Sequence, residues 1–93
     1  MEKIFLAGDI LNCYADETFK KMIEKLNKIG YTSITIPFYL SDIKLSWEDN
    51  IKIDIKALLD CTELHLLPCW INSKTAEILR DIAKQLSMKI VYH

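Results

Sequence analysis

The residues of this sequence whose types could do chemistry fall at three places: Gly8 with Asp9, Asp54, and the run Trp70, Asn72 and Ser73. Ser73 offers a hydroxyl and a backbone N–H to a phosphate or a sugar, or it is an ordinary helix N-cap. Asn72 carries the same two readings. Trp70, in a loop, would stack a planar base or cover a pocket, or it anchors an interface with another chain. Gly8 lets the backbone turn sharply or come close to a ligand. Asp54 stands on the edge of an apolar helical stripe. Its carboxylate either bonds the N–H groups of a nearby loop or faces a ligand, because burying it alone is costly.

Other reactive residues read as structural. His65, inside an apolar strand, is a satisfied core histidine rather than a base. Cys13, Cys61 and Cys69 form no CxxC and leave one unpaired in any disulfide scheme, which points to reduced thiols in a cytoplasmic protein. No metal cluster, Ser-His-Asp set or glycine-rich phosphate loop can be read, so no catalytic residue, metal or cofactor is assigned. At 93 residues the chain makes one small domain. Its net charge of −1 gives no general pull toward nucleic acid or an anionic membrane, so a ligand must be recognised locally. No signal peptide is expected, and no segment approaches the roughly 20 apolar residues of a membrane span.

The elements that must position these residues follow from period and punctuation. Residues 3–8, KIFLAG, form a continuous apolar run before a glycine, as in a central parallel strand covered on both faces. Asp16 caps a helix whose Phe19, Met22, Ile23, Leu26 and Ile29 face inward, while Lys20, Lys21, Lys25 and Lys28 form a solvated side; Gly30 ends it. Residues 33–36, SITI, alternate as an edge strand closed by Pro37. Residues 38–45, with Phe38 and Tyr39, are a lid or simply a long connection. Ser46 and Asp49 resemble a capping box for a helix to about Asp60, with Trp47, Ile51, Ile55, Leu58 and Leu59 on its apolar stripe.

The stretch from Glu63 to Tyr92 organises the rest. A strand at 63–67, a loop at 68–74 and a helix opening at Asn72 or Ser73 precede a final strand at 89–92, which makes a parallel βαβ unit. In the helix, Thr75, Leu79, Ile82, Ala83 and Leu86 point inward, and Glu77 lies opposite, in solvent. His93 should fray. The order β-α-β-α-β-α-β with right-handed crossovers favours a doubly wound α/β sheet of order 2-1-3-4. Gly8-Asp9 and the 68–74 loop then converge on the crevice at its carboxyl edge. One helix on one face and two on the other leave apolar surface that a two-fold partner would bury, so a homodimer is expected.

In this order and spacing the motifs resemble the nucleoside 2-deoxyribosyltransferase-like family, especially its short stand-alone members. KIFLAGD is similar to the family's opening strand and glycine turn. WEDNIKIDIKALLDC is similar to its W-x6-D-x3-L-x2-C/S helix, and LLPCWINSKTA to its L-L-P-G-W-x-x-S-x-G-A loop. The resemblance covers nearly the whole chain. It implies a flavodoxin-like or Rossmann-like three-layer sandwich, oligomeric assembly and a pocket for a nucleoside or nucleotide. It places Asp54 where relatives contact the sugar or base, and Ser73 where relatives that cleave nucleoside monophosphates hold the phosphate.

Three departures bear on activity. Asp9 replaces a proline, Cys69 replaces the glycine before Trp70, and the family's G-A-x-x-E becomes Thr75-Ala76 with Leu79 at the position of the nucleophilic Glu. Leucine cannot form a glycosyl ester, so double-displacement chemistry should be lost. The expectation is a homodimer that binds, senses or sequesters a nucleotide or nucleoside-like small molecule without turnover, through Gly8, Asp9, Asp54, Trp70, Asn72 and Ser73. The alternatives are an N-glycosidase or deoxyribosyltransferase using another carboxylate, Asp9, Asp54 or one from a partner subunit, and a structural subunit docking a protein through Trp70 and Phe38-Tyr39.

Overall fold

The computed structural model describes residues 2–8, 15–36, 46–68 and 70–93. Four strands, β1 (Lys3–Ala7), β2 (Ser33–Thr35), β3 (Glu63–Leu66) and β4 (Lys89–Tyr92), form one parallel sheet of order β2-β1-β3-β4. Helices α1 (Ala15–Ile29), α2 (Trp47–Leu59) and α3 (Lys74–Gln85) make the crossovers. The architecture is the flavodoxin-like α/β sandwich that the order of elements requires.

Alternation along the strands sends side chains to two layers. Leu6, Ile36 and Leu67 pack against Phe19 of α1, with Met22, Ile23 and Ile34 around them. Phe5, Ala7, Leu64 and Leu66 meet Ile51 and Leu58 of α2 and Ala76, Leu79 and Ala83 of α3 on the other face. Each fully buried leucine contributes about 1.5–3 kcal/mol, so these two layers supply the main driving force. No helix among the described residues is long and apolar enough to cross a membrane.

Local signals fix the helix ends. The Ser46 hydroxyl accepts from Asp49 N at 3.2 Å and the Ser73 hydroxyl from Ala76 N at 3.1 Å, so both serines are N-caps. At the other end of α1, Tyr31 N–H reaches Leu26 O and Gly30 N–H reaches Asn27 O. α3 ends the same way, with Met88 N–H on Ala83 O and Ser87 N–H on Lys84 O. This double bond pattern requires a positive φ at the residue after the cap. Gly30 has φ +122°, and Ser87 adopts +57° despite its side chain.

Several expectations need correction. α1 starts at Ala15, which leaves Asp16 one residue inside the helix rather than at its cap. Ile29, Leu59 and Leu86 were placed on inward stripes, yet they are 64 %, 58 % and 53 % exposed. Periodicity gives the side of a helix a residue occupies, not its position along the axis. Ile29 and Leu86 stand one turn past Leu26 and Ala83, the last buried residues of their helices, whereas Leu59 follows the fully buried Leu58 and points about 100° away from it. His93 is not frayed: its N–H donates to Leu66 O at 2.8 Å. Pro37, Phe38 and Tyr39 lie outside the described residues.

The two helix ends yield opposite outcomes. A Cβ at Gly30 would meet nothing within 4 Å, so Gly30→Ala carries the backbone cost alone, about 1–3 kcal/mol of stability at φ +122°. Ser87→Gly relieves the left-handed strain at φ +57° and should raise stability by up to about 1 kcal/mol. Urea midpoints of both variants check this; equal midpoints would contradict it.

Candidate functional site

The carboxyl ends of β1 and β3 are held side by side, since Leu67 N–H donates to Ala7 O at 2.9 Å. Gly8, buried, follows directly, and Asp9 lies outside the described residues. From Leu67 the chain turns through Pro68 into a short 3-10 turn, Trp70–Asn72. Trp70 N–H bonds Leu67 O and Ser73 N–H bonds Trp70 O. The structure thus brings Gly8, Trp70, Asn72 and Ser73 to one sheet edge, as the βαβ reading requires.

Their side chains differ in availability. Ser73 spends its hydroxyl oxygen as acceptor of the α3 cap bond, and a hydroxyl that accepts can still donate its own hydrogen. Asn72 is exposed. Trp70 is half-buried, with the Arg80 guanidinium 5.1 Å from its ring centroid and Tyr92 5.8 Å away at a tilt of 56°. Its indole is therefore a packed wall of this edge more than a free platform. A second aromatic, Trp47, joins the starts of α2 and α3: Nε1 donates to Thr75 Oγ1 at 3.1 Å, and Lys74 Nζ lies 4.4 Å from the ring centroid. The sequence reading put Trp47 on the apolar stripe and missed this tie.

Asp54 is the chemically unusual residue. It lies on the sheet-facing side of α2, between Ile51 and Leu58 in sequence, and is only 2 % exposed. Oδ1 has no hydrogen-bond partner among the described residues. Burial pushes the carboxyl up to about 6. The loop N–H bond considered for this side chain is not made to Oδ1 by any described residue. Leu79, at the position where the resemblance wants a nucleophilic Glu, is 0 % exposed and packed with Leu64, Leu66, Ala76 and Ala83. Glu77 is exposed, on the side of α3 away from this core, as its angular position requires.

Away from this edge, the described residues frame a shallow open depression around Glu2, Ile29, Gly30 and Tyr31, at the amino edge of the sheet. Cys61 is a free, half-buried thiol that donates to Ala57 O at 3.4 Å, and burial together with Asp60 raises it above its ordinary value. Cys13 and Cys69 lie outside the described residues. His65 is a satisfied core histidine, bonded at both ring nitrogens to Glu63 and His93. That three-residue chain was not foreseen. Its signal was present in Glu63 and His65, two apart on one strand and therefore on one face.

The linkage of Asp54 has a definite sign. Its folded-state value lies above the ordinary 3.8, so its neutral form favours the fold below 3.8 and that contribution is lost as pH rises through about 6. Asp54→Asn should remove the dependence and become the more stable form above pH 6, by about 2–3 kcal/mol. Denaturant midpoints against pH for both proteins measure it. Parallel profiles would contradict an uncompensated Asp54.

No curated protein matches the chain. A family model does: residues 2–92 match the domain of unknown function DUF4406. With nearly every residue covered by that match, the chain belongs to the DUF4406 family.

Proposed function

We propose that this protein binds a nucleotide or nucleoside-derived small molecule without turning it over, as a cytoplasmic sensor or a protein that sequesters such a molecule. The observation that carries the reading is Asp54, a buried carboxylate with one oxygen unbonded among the described residues. Such a group is costly unless something donates to it. Sugar hydroxyls and exocyclic amines are donors of the right kind, and α2, which carries Asp54, lies in the 47–61 stretch that resembles the ligand-contacting helix of nucleoside 2-deoxyribosyltransferase-like proteins. Gly8, Trp70, Asn72 and Ser73 at the adjoining sheet edge would complete the contacts, with Asp9 beside Gly8.

Against turnover stands the hydrocarbon at position 79, sealed in the core, and the outward direction of Glu77. A second reading is favoured by one specific observation. A carboxyl with a value near 6 suits a general acid at neutral pH, so Asp54 would serve an N-glycosidase or deoxyribosyltransferase that lacks the usual nucleophile. A homodimer is part of the first reading. The apolar side chains of Ile29, Leu59, Ile71 and Leu86, exposed in the single chain, support it.

Calorimetry against nucleosides, mononucleotides, dinucleotides and ADP-ribose-type compounds tests the proposal. Heat is expected with one of these classes, together with a loss of affinity of about tenfold or more in Asp54→Ala. The recovered ligand should be chemically unchanged. Free base that appears with wild type and not with Asp54→Asn would replace the first reading by the second, and no heat with any class would remove both.

A further inference from the structure

The face of the sheet toward α1 is covered unevenly. Over β1 and β2 lie Phe19, Met22 and Ile23, but the half over β3 and β4 carries a row of polar side chains. Register places Leu6 beside His65, Glu63 beside Lys89 and His65 beside Val91, so Glu63, His65, Lys89 and His93 share this face. His65 Nε2 lies 3.2 Å from Glu63 Oε1, and His65 Nδ1 lies 2.8 Å from His93 Nε2. Tyr31 also faces the cluster; its hydroxyl donates to Glu63 Oε1 at 3.4 Å and its ring meets His65 edge-on. Lys89 Nζ stands 3.6 Å from the same oxygen.

With Glu63 ionised, these contacts set the direction of each proton along the chain. Glu63 Oε1 receives Tyr31, His65 and Lys89, which suits an ionised, acceptor-only carboxylate, while Oε2 has no hydrogen-bond partner among the described residues. Burial alone would raise its value, but the His65 bond and the Lys89 charge hold it below the ordinary one. His65 must then carry its proton on Nε2 and present a lone pair at Nδ1. His93 must in turn donate Nε2–H to that lone pair. What remains is the His93 Nδ1 lone pair, on a half-buried ring at the carboxyl end of β4, with no partner among the described residues.

We propose that Glu63, His65 and His93 form a proton relay that presents His93 Nδ1 as a base to a hydroxyl-bearing ligand, or to water, docked beside the end of β4. When the ligand's O–H gives its proton to Nδ1, His93 passes its Nε2 proton to His65 Nδ1. The ligand is left as the alkoxide or hydroxide, His93 as the neutral Nδ1–H tautomer, and His65 as an imidazolium beside Glu63. The positive charge thus moves from the outer ring to an ion pair in the interior. Leaving it on His93 is unfavourable, since burial, His65 and Lys25 all lower the value of that ring. The site is separate from Asp54, which packs on the opposite face of the sheet.

The chain has only 2 histidines, so 15N-imidazole NMR reads each ring without overlap. In the unprotonated protein both rings should be Nε2–H tautomers. With the first bound proton, the charge should appear on His65 while His93 converts to Nδ1–H. In Glu63→Gln the first proton should stay on His93, and ethoxycarbonylation of His93 by diethyl pyrocarbonate should slow severalfold. An Nδ1–H or mixed tautomer at His93 in unprotonated wild type overturns the relay, as does a first proton that charges His93 and leaves His65 unchanged. The wild-type spectrum decides this even where the variant fails to fold.

Discussion

β1 and β3 lie side by side at the centre of the sheet with almost no contact with water, so their backbone polar groups must find partners in neighbouring strands. That pairing, Ile4 with Glu63 through Ala7 with Leu66, sets everything else. It forces parallel crossovers, and parallel crossovers put helices on both faces. It also joins Leu67 to Ala7, which brings the loops after both strands to one edge. Three crossover helices cannot cover two faces equally. α2 and α3 share one, and α1 has the other to itself.

The two faces meet that imbalance differently. Under α2 and α3 the layer is apolar and closed, except that Asp54 stands in it with an unbonded oxygen. On the α1 face the half over β3 and β4 is not apolar; Glu63, His65 and His93 line it, bonded in a chain, with Tyr31 packed on His65. A buried polar group that is satisfied specifies the fold, and one that is unsatisfied asks for something from outside. By that criterion the histidine chain is largely self-satisfied, with Glu63 Oε2 still unbonded among the described residues, and Asp54 Oδ1 stands unbonded in an otherwise apolar layer. Leu79 is the converse case. It gives the core a well-packed hydrocarbon where the resemblance drawn from the sequence would place a carboxylate.

Much of this was legible in the residues. The apolar run before Gly8, the glycine at the end of α1 and the serines before α2 and α3 each act locally, so period and cap chemistry locate the elements and their order. The oddity of Asp54 was also visible on a helical wheel. What could not be read was whatever depends on axial overhang or on contacts across the sheet. Ile29 and Leu86 lie past the last buried residue of their helices, and Leu59, beside the buried Leu58, is turned to the edge of the stripe. His93, expected to fray, is held by Leu66 O and by a histidine 28 residues earlier, a pairing that exists only once β3 and β4 are in register. The role of Trp47 likewise rests on Thr75 and Lys74 from another helix.

The account rests on Asp54 being an acid that folding leaves without enough donors and that a nucleotide or nucleoside supplies. Its carboxyl carbon, followed by 13C NMR across pH with and without nucleosides and nucleoside monophosphates, reports this directly. The expected midpoint is about 6 in the free protein, displaced downward in the presence of the ligand that donates to it. An ordinary carboxylate midpoint that no nucleoside or nucleotide moves would contradict the account.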